Sequence, residues 1–184
     1  MDKLKSLSVF QGYARDWTGF SISEITDYEL VSLSVASGQD ANFAKAIKTA
    51  LGCALPAPGT VVPAGDGSLM WTGQGQYLAM LAGQNDRGDE DLAAVLGGSG
   101  YAVLQSDGWG VLQLSGERIF DVLERFIPLD LRNVTDNFAA RTSAHHMAVI
   151  VVKLSGDSWL LITPRTSAAG FLDSLEHVTD NVIS

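Results

Sequence analysis

The chain has 184 residues, 46% of them hydrophobic and 18% charged. That is enough apolar material for one compact domain or for two small halves that share a core. Its formal net charge is −9 and its 12 Lys and Arg residues form no cluster. This argues against a nucleic-acid partner and against anionic membranes, because both attract clustered positive charge.

Residues 1–28 mix Ser, Gly, Thr and aromatic side chains without a clear period. They are predicted to form an N-terminal arm, with room for one short strand, that lies on the body of the protein or on a neighbour. Residues 1–5 lack the apolar core of a signal peptide, and no apolar run approaches the ~20 residues of a membrane helix. A soluble cytoplasmic protein is therefore expected.

The regular part begins with a predicted half, residues 29–105. Residues 30–35 alternate partly between apolar and small polar side chains, as a strand does. Phe43, Ile47 and Leu51 then share one face of a helix, with Asp40 as N-cap and Gly52 as the stop. Residues 54–67 carry three prolines and three glycines and are predicted to be loop.

A hairpin and a second helix complete this half. Strands at 69–71 and 76–81 are joined by residues 73–75, Gly-Gln-Gly, which suits a tight turn. An acidic opening from Asp86 to Asp91 precedes a short helix, and carboxylates stabilise the positive end of a helix dipole. Glycines at 97–100 end that helix, and residues 101–104 return as a strand.

The same order repeats in residues 106–184. A strand at 111–115 leads into a helix with Ile119, Phe120, Leu123, Phe126 and Ile127 on one face. A hairpin follows, with strands at 147–154 and 158–162, and then a last helix over 165–177. The chain therefore predicts an α+β fold of two pseudo-repeated β-α-β-β-α units, with mainly antiparallel sheets packed into one compact body.

Few residues suggest a metal or a nucleophile. His145 and His146 fall at a predicted strand start, where neighbouring side chains point to opposite faces, so they cannot share one ion. His177 suits a helix C-terminus. Cys53, the only cysteine, sits in an apolar stretch that raises a thiol pKa and keeps it inert. No catalytic, cofactor-binding or metal-binding residue is predicted.

Two further features have more than one interpretation. Arg165, with the hydroxyls of Thr166 and Ser167, either holds a small anion or forms a helix-capping cluster with Arg165 facing solvent or a partner. The glycine-rich residues 65–68 fit turns better than a phosphate cradle, which leads into a helix. Three tryptophans fit core positions in or near strands, whereas Trp17 in the arm is the candidate for contact with another chain. The three are Trp71, Trp109 and Trp159.

Three segments carry a family resemblance over about residues 29–178. They are Met-Trp-Thr-Gly-Gln-Gly-Gln-Tyr-Leu at 70–78, Val-Leu-Gln-Leu-Ser-Gly at 111–116 with Pro-Leu-Asp-Leu at 128–131, and Leu-Leu-Ile-Thr-Pro-Arg-Thr-Ser-Ala at 160–168 followed by Phe171 and Leu172. In these segments the chain resembles the gamma subunit of heterotetrameric sarcosine oxidase, a relative of the folate-dependent aminomethyltransferases. The resemblance implies an aminomethyltransferase folate-domain-like fold.

The resemblance also implies a role. The complex demethylates sarcosine oxidatively to glycine and passes the one-carbon unit to tetrahydrofolate. FAD, FMN, NAD, zinc and tetrahydrofolate reside on other subunits, and the gamma chain binds no cofactor. It is expected to be an accessory, non-catalytic subunit that packs against the large subunit and self-associates when isolated.

Two other functions stay open from the sequence. One is a stand-alone folate-binding or aminomethyltransferase-like protein, for which Asp107 and Asp130 are the acids near strand ends. The other is a free-standing scaffold protein. A neighbouring set of genes for the other oxidase chains would favour the subunit.

Overall fold

Two antiparallel sheets and four helices make up the part of the chain that the computed structural model describes, residues 7–83 and 87–183. The predicted α+β class is confirmed. The strands are β1 (Ala14–Trp17), β2 (Phe20–Ile25), β3 (Tyr28–Val35), β4 (Val61–Ala64), β5 (Gly67–Gly73), β6 (Gln76–Ala82), β7 (Gly100–Leu104), β8 (Trp109–Ser115), β9 (Phe138–Ala144), β10 (Met147–Ser155) and β11 (Ser158–Pro164). The helices are α1 (Asp40–Leu51), α2 (Gly88–Leu96), α3 (Ile119–Phe126) and α4 (Ala168–Ile183).

The sheet order shows the internal repeat. One sheet runs β4-β5-β6-β3-β7 and the other β1-β2-β8-β11-β10-β9. Strands β4-β5-β6-β3 therefore correspond in order to β9-β10-β11-β8, and all the pairs are antiparallel. Each unit is β-α-β-β-β-α, one strand more than the sequence predicts.

The extra strands are β4, whose residues were predicted to be loop, and β9, where no strand was predicted. Each occupies the end of its repeated set of strands, and Thr60 forms an isolated bridge to Phe138 between them. Strands near a sheet edge tolerate a weak apolar pattern and even proline, here Pro63, because one side needs no ladder hydrogen bonds. That tolerance is why their sequences gave little strand signal.

The four layers are helix, sheet, sheet, helix. Helices α1 and α2 cover the outer face of the five-stranded sheet, and α3 and α4 cover that of the six-stranded sheet. Between the sheets lies a third core. It contains Tyr28, Leu30, Val61, Met70, Leu78, Val111, Ala139, Ile150, Val152, Leu160 and Ile162.

The helices form where the predicted apolar stripes lie. In α3, Ile119, Val122, Leu123 and Phe126 are buried at the i, i+3, i+4 and i+7 positions that face one side. The last helix begins later than predicted because Arg165–Ser167 forms a 3-10 turn ahead of it, and it continues beyond residue 177 to Ile183. None of the described helices is long and apolar enough to cross a membrane.

Helix ends partly confirm the predicted caps. Gly52 ends α1 in the left-handed conformation with φ 71°, as its stop role requires. Asp40, predicted as the N-cap, is instead the first helical residue, and Gln39 holds the cap position without a side-chain cap bond. Helix α2 has Asp89, Glu90 and Asp91 in its first turn, whereas Asp86 lies outside the described residues.

The N-terminal segment is more regular than predicted. Residues 1–6 lie outside the described part, but residues 14–25 form two paired strands, and β2 pairs with β8. Buried Phe20 and Ile22 alternate with half-buried Ser21 and Ser23, a period-2 pattern that predicts a strand. The expectation of one short strand is therefore wrong, although this segment does lie on the body of the protein.

Candidate functional site

The two adjacent histidines lie in a turn rather than at a strand start. His145 and His146 join β9 to β10, and both have positive φ, 46° and 68°. Positive φ at both central residues is the signature of the tight hairpin turns that match strand twist. The His145 ring packs 5.2 Å from that of Phe126. The predicted strand position is wrong because the preceding strand, β9, was missed.

No group of three or more His, Cys, Asp or Glu side chains suited to a metal ion occurs among residues 7–83 and 87–183. His177 lies within α4, which continues to Ile183, so it does not occupy the helix end that the sequence predicts. Cys53 is half-buried against the core under α1, and this burial raises the pKa of its thiol. A raised pKa leaves the thiol protonated and weakly nucleophilic.

Arg165 ties backbone segments together. Its Nε donates to the carbonyl oxygen of Asp107 at 2.8 Å, and its other guanidinium nitrogen donates to that of Leu7 at 3.1 Å. Ser167 Oγ donates to the carbonyl of Pro164, which closes the turn before α4. The Ser167 hydroxyl and the Arg165 guanidinium thus donate to backbone carbonyls. No side-chain cap bond forms at the start of this turn, and Arg165 binds its own chain, which neither of the two interpretations from sequence predicts.

The two acids considered for a folate site do not line the same crevice. Asp107 lines a polar crevice of about 400 Å³ together with Glu24, Tyr28 and Arg165. Asp130 does not line that crevice; it accepts a hydrogen bond from Asn133 in the loop after α3. The structure therefore gives no shared pterin-binding pair from these acids.

Glu24 is the main polar residue that the sequence analysis missed. Its carboxylate accepts hydrogen bonds from Ser8 Oγ and from the backbone N–H groups of Phe10 and Gly12, at 2.6–2.8 Å. Burial, together with the nearby Glu24 charge, raises the pKa of Tyr28 well above its usual range. Glu24 thus holds the N-terminal turn against the crevice, and only the folded chain brings these donors together.

Trp17 contacts its own chain. Its indole Nε1 donates to Asp180 Oδ1 at 2.6 Å, and the Arg15 guanidinium lies 4.4 Å from the indole ring. Arg15 also pairs with Glu176 and Asp180 of α4. The hydrogen bond from Trp17, and then the charge of Arg15, lowers the pKa of Asp180. The hairpin of β1 and β2 is therefore fastened to α4; whether Trp17 also meets another chain stays a prediction.

The other tryptophans differ in burial. Trp159 is fully buried in the core of the six-stranded sheet, as predicted. Trp71 and Trp109 are half-buried. Trp109 sits beside Arg141, whose guanidinium carbon is 6.0 Å from the indole ring. Core packing therefore accounts for the burial of the Trp159 ring, although its Nε1 has no hydrogen-bond partner among the described residues, and it accounts for the other two only in part.

The exposed margin of the five-stranded sheet is formed by β7, which pairs with β3 alone. Tyr101 and Val103 are 65% and 51% exposed, the largest apolar exposure on any described strand. They lie opposite Ser34 and Ser32 in the register. We call residues 100–104 the β7 edge. An edge strand with exposed apolar side chains offers unpaired backbone groups to another chain.

A second opening lies between the sheets. This inter-sheet cavity has a volume of about 460 Å³ and draws on both sheets, from Tyr28, Ser68 and Met80 on one side to Gln113 and Leu160 on the other. Its size falls within the range of small-molecule sites. Nothing in the sequence marked it, because its walls come from separated strands.

These features define an α+β protein of the aminomethyltransferase-like fold. The structure matches glycine cleavage system aminomethyltransferase T from Bartonella henselae with a TM-score of 0.60 and 11% identity, covering 83% of this chain and 44% of that one. It matches a chain of heterotetrameric sarcosine oxidase from Corynebacterium sp. U-96 with a TM-score of 0.80 and 23% identity, covering 92% and 88%. No curated protein sequence gives a significant match.

The match to a protein-family model identifies the family. The model of the sarcosine oxidase, gamma subunit family matches residues 36–179. Because that match covers most of the 184 residues, this chain belongs to the sarcosine oxidase gamma subunit family. The predicted resemblance is confirmed.

Proposed function

We propose that this chain is an accessory, non-catalytic gamma subunit of a sarcosine oxidase complex and packs against the large subunit. The observation that carries the proposal is the family match over residues 36–179. The fold likeness to a chain of heterotetrameric sarcosine oxidase supports it. The complex would convert sarcosine to glycine in the cytoplasm, with FAD, FMN, NAD, zinc and tetrahydrofolate held by other subunits.

The placement of polar groups supports a non-catalytic role. Arg165, Glu24 and Trp17 each form hydrogen bonds that hold segments of the chain together. These side chains have structural roles in the described part of the chain, which agrees with chemistry that is carried out by the other chains of the complex.

The β7 edge is the surface that we assign to the large subunit. Exposed Tyr101 and Val103 provide an apolar contact, and tyrosine is common among the residues that dominate binding energy. The unpaired backbone of β7 can extend the sheet into a partner. In the isolated chain the same edge would drive self-association.

The test is recovery of the tagged chain from its native lysate, followed by mass spectrometry and an absorbance scan for bound flavin. We expect a flavin-coloured complex that contains larger oxidase chains. The matched control is a tagged Tyr101→Thr/Val103→Thr variant, which should recover less of them. Recovery of a colourless chain without those partners, from cells that produce the oxidase, would overturn the subunit role.

The fold likeness to aminomethyltransferase T favours one alternative, a stand-alone folate-binding protein. Titration of the colourless, partner-free chain with tetrahydrofolate would then decide it. Saturable binding would favour the alternative, and no binding would remove it.

A further inference from the structure

The inter-sheet cavity has an apolar interior and a polar mouth. Buried or half-buried side chains form the interior: Ile25, Tyr28, Val61, Met80, Leu154 and Leu160. Exposed Asp27, Asp66, Asn137 and Ser155 stand at the mouth. Such a site buries the apolar body of a ligand and fixes its orientation with a few polar groups.

The charge at the mouth has one sign. Asp27 lies in the connection from β2 to β3, which joins the two sheets, and Asp66 lies in the β4–β5 turn of the five-stranded sheet; both line the opening. No Lys or Arg of the described chain lines the cavity. Neither carboxylate forms an ion pair within the described ranges. The field at the mouth therefore attracts cations and repels anions.

Polar side chains also line the cavity. Ser68 is one of them, and its hydroxyl makes no hydrogen bond with any described residue. Because that hydroxyl is not among the fully buried unpaired groups of the described residues, it is open to water or to a ligand. Gln113 donates its amide Nε2 to Ser158 Oγ at 3.0 Å, which turns the amide oxygen away from that serine. Two groups within the cavity can thus accept a hydrogen bond.

We infer that the inter-sheet cavity binds a small organic cation, with its apolar body between the sheets and its ammonium group between Asp27 and Asp66. The two carboxylates select the charge, Ser68 and Gln113 accept or share hydrogen bonds, and the apolar interior excludes fully polar ions. This inference goes beyond the proposed function and does not depend on it.

The test is a titration of the isolated, isotopically labelled full chain with benzylammonium, followed by NMR at the side-chain amides of Gln113 and Asn137. Benzyl alcohol and benzoate are the probes of matched shape with neutral and negative charge. We expect saturable shifts at those two amides with benzylammonium, weaker binding of the alcohol and none of benzoate. Equal binding of the three probes, or shifts spread over the surface, would overturn the inference.

Variants of the lining residues test which side chains bind the cation. Asp27→Asn combined with Asp66→Ser should weaken benzylammonium binding about tenfold or more, because two partly solvated charge interactions are lost. Ser68→Ala should weaken it about threefold, on the scale of one neutral hydrogen bond. The control is Asp173→Asn, at an exposed position of α4 that does not line the cavity. It changes the net charge and should leave the binding of benzylammonium unchanged. An unchanged affinity in the double variant would overturn the inference.

These outcomes are independent of complex formation. The titration uses the chain alone, whereas the proposed function is tested by recovery of oxidase partners from a lysate. A chain that binds benzylammonium but recovers no partner keeps this inference and loses the subunit role. A chain that recovers oxidase partners but does not bind benzylammonium keeps the subunit role and loses this inference.

Discussion

The two repeated units share one topology but end differently. Beyond β8, the six-stranded sheet continues into the β1–β2 hairpin, which is fastened to α4 through Trp17, Arg15 and Asp180. Beyond β3, the five-stranded sheet has only β7, with Tyr101 and Val103 exposed. Strands β2 and β7 thus hold the same position in the two sheets, and only the six-stranded sheet has a further strand, β1, beyond it.

This difference gives the two sheet margins different roles, one in the stability of the fold and one in association with another chain. A sheet margin covered by its own chain gains hydrogen bonds and packing, whereas an open margin is free to pair with another chain. The unit that begins with β8 therefore uses its margin for folding. The unit that begins with β3 leaves β7 as its edge, the surface that the proposed function assigns to a partner.

The largest effects are expected where the units are alike. Phe43→Ala in α1 and Phe126→Ala in α3 each remove a buried ring and should lower the free energy of unfolding by about 3–5 kcal/mol. Because residues of both sheets fill the core between them, each variant should shift one shared transition. Denaturant titration by circular dichroism measures this. Val95→Ala, at a position 42% exposed, is the control; separate transitions for the two units would contradict the shared core.

A smaller effect is expected at the covered margin. Trp17→Ala removes the hydrogen bond to Asp180, the contact with Arg15 and the ring contact with Phe20, so it should cost about 1–2 kcal/mol. Hydrogen exchange should show faster opening of β1 and β2 with β4 unaffected. Trp17→Phe keeps an aromatic ring and should cost less. Uniform loss of protection in both sheets would show that the hairpin is not a separate margin.

The open margin should tolerate change. Tyr101→Thr with Val103→Thr places a β-branched residue of good strand propensity at both positions of β7. It should alter the free energy of unfolding by less than about 0.5 kcal/mol, because both sites are exposed. The association constant of the isolated chain with itself, measured by analytical ultracentrifugation, should fall about tenfold. Val95→Ala, on the helix side of the same sheet, should leave self-association unchanged. A stability loss as large as that of Phe43→Ala would place these side chains in the core instead.

The smallest effect depends on pH. The pKa of Asp180 is below its ordinary value of 3.8 in the folded chain. Its contribution to the free energy of unfolding is therefore complete when the pH is well above 3.8. It is lost as the pH falls through the lowered folded-state pKa, because the protonated carboxyl accepts the Trp17 hydrogen bond more weakly and no longer attracts Arg15. The indole N–H signal of Trp17 should report this titration by NMR, with a midpoint below 3.8. Asp180→Asn should abolish it; a midpoint above 3.8 would reverse the assigned sign.

Strong apolar patterns were enough to predict most of the elements. The stripe of α3 was visible because its buried residues recur on one helix face. The strands β8 and β11 were visible because they are packed on both sides, which demands continuous apolar character. Weakly patterned strands were not: β4 contains Pro63 and lies at a sheet edge, and β9 carries Arg141 and small residues. Missing β9 also misplaced His145 and His146.

The candidate site was less predictable than the fold. Asp27 and Asp66 are ordinary turn residues in sequence, and only the packing of two sheets brings them to one opening. Glu24 likewise resembles a solvated strand residue until Ser8 and Phe10 fold back onto it. Local sequence carries no record of contacts between distant segments, so these groups could be found only in the folded chain.

The sequence alone determined the class, the repeat and the family, because periodic burial and the segments at 70–78, 111–116 and 160–168 are local properties of the chain. The tertiary structure alone decided which margin is covered, where the inter-sheet cavity opens and which polar groups serve the backbone. Those properties depend on how two sheets of similar order pack face to face and on what the chain places beyond each one.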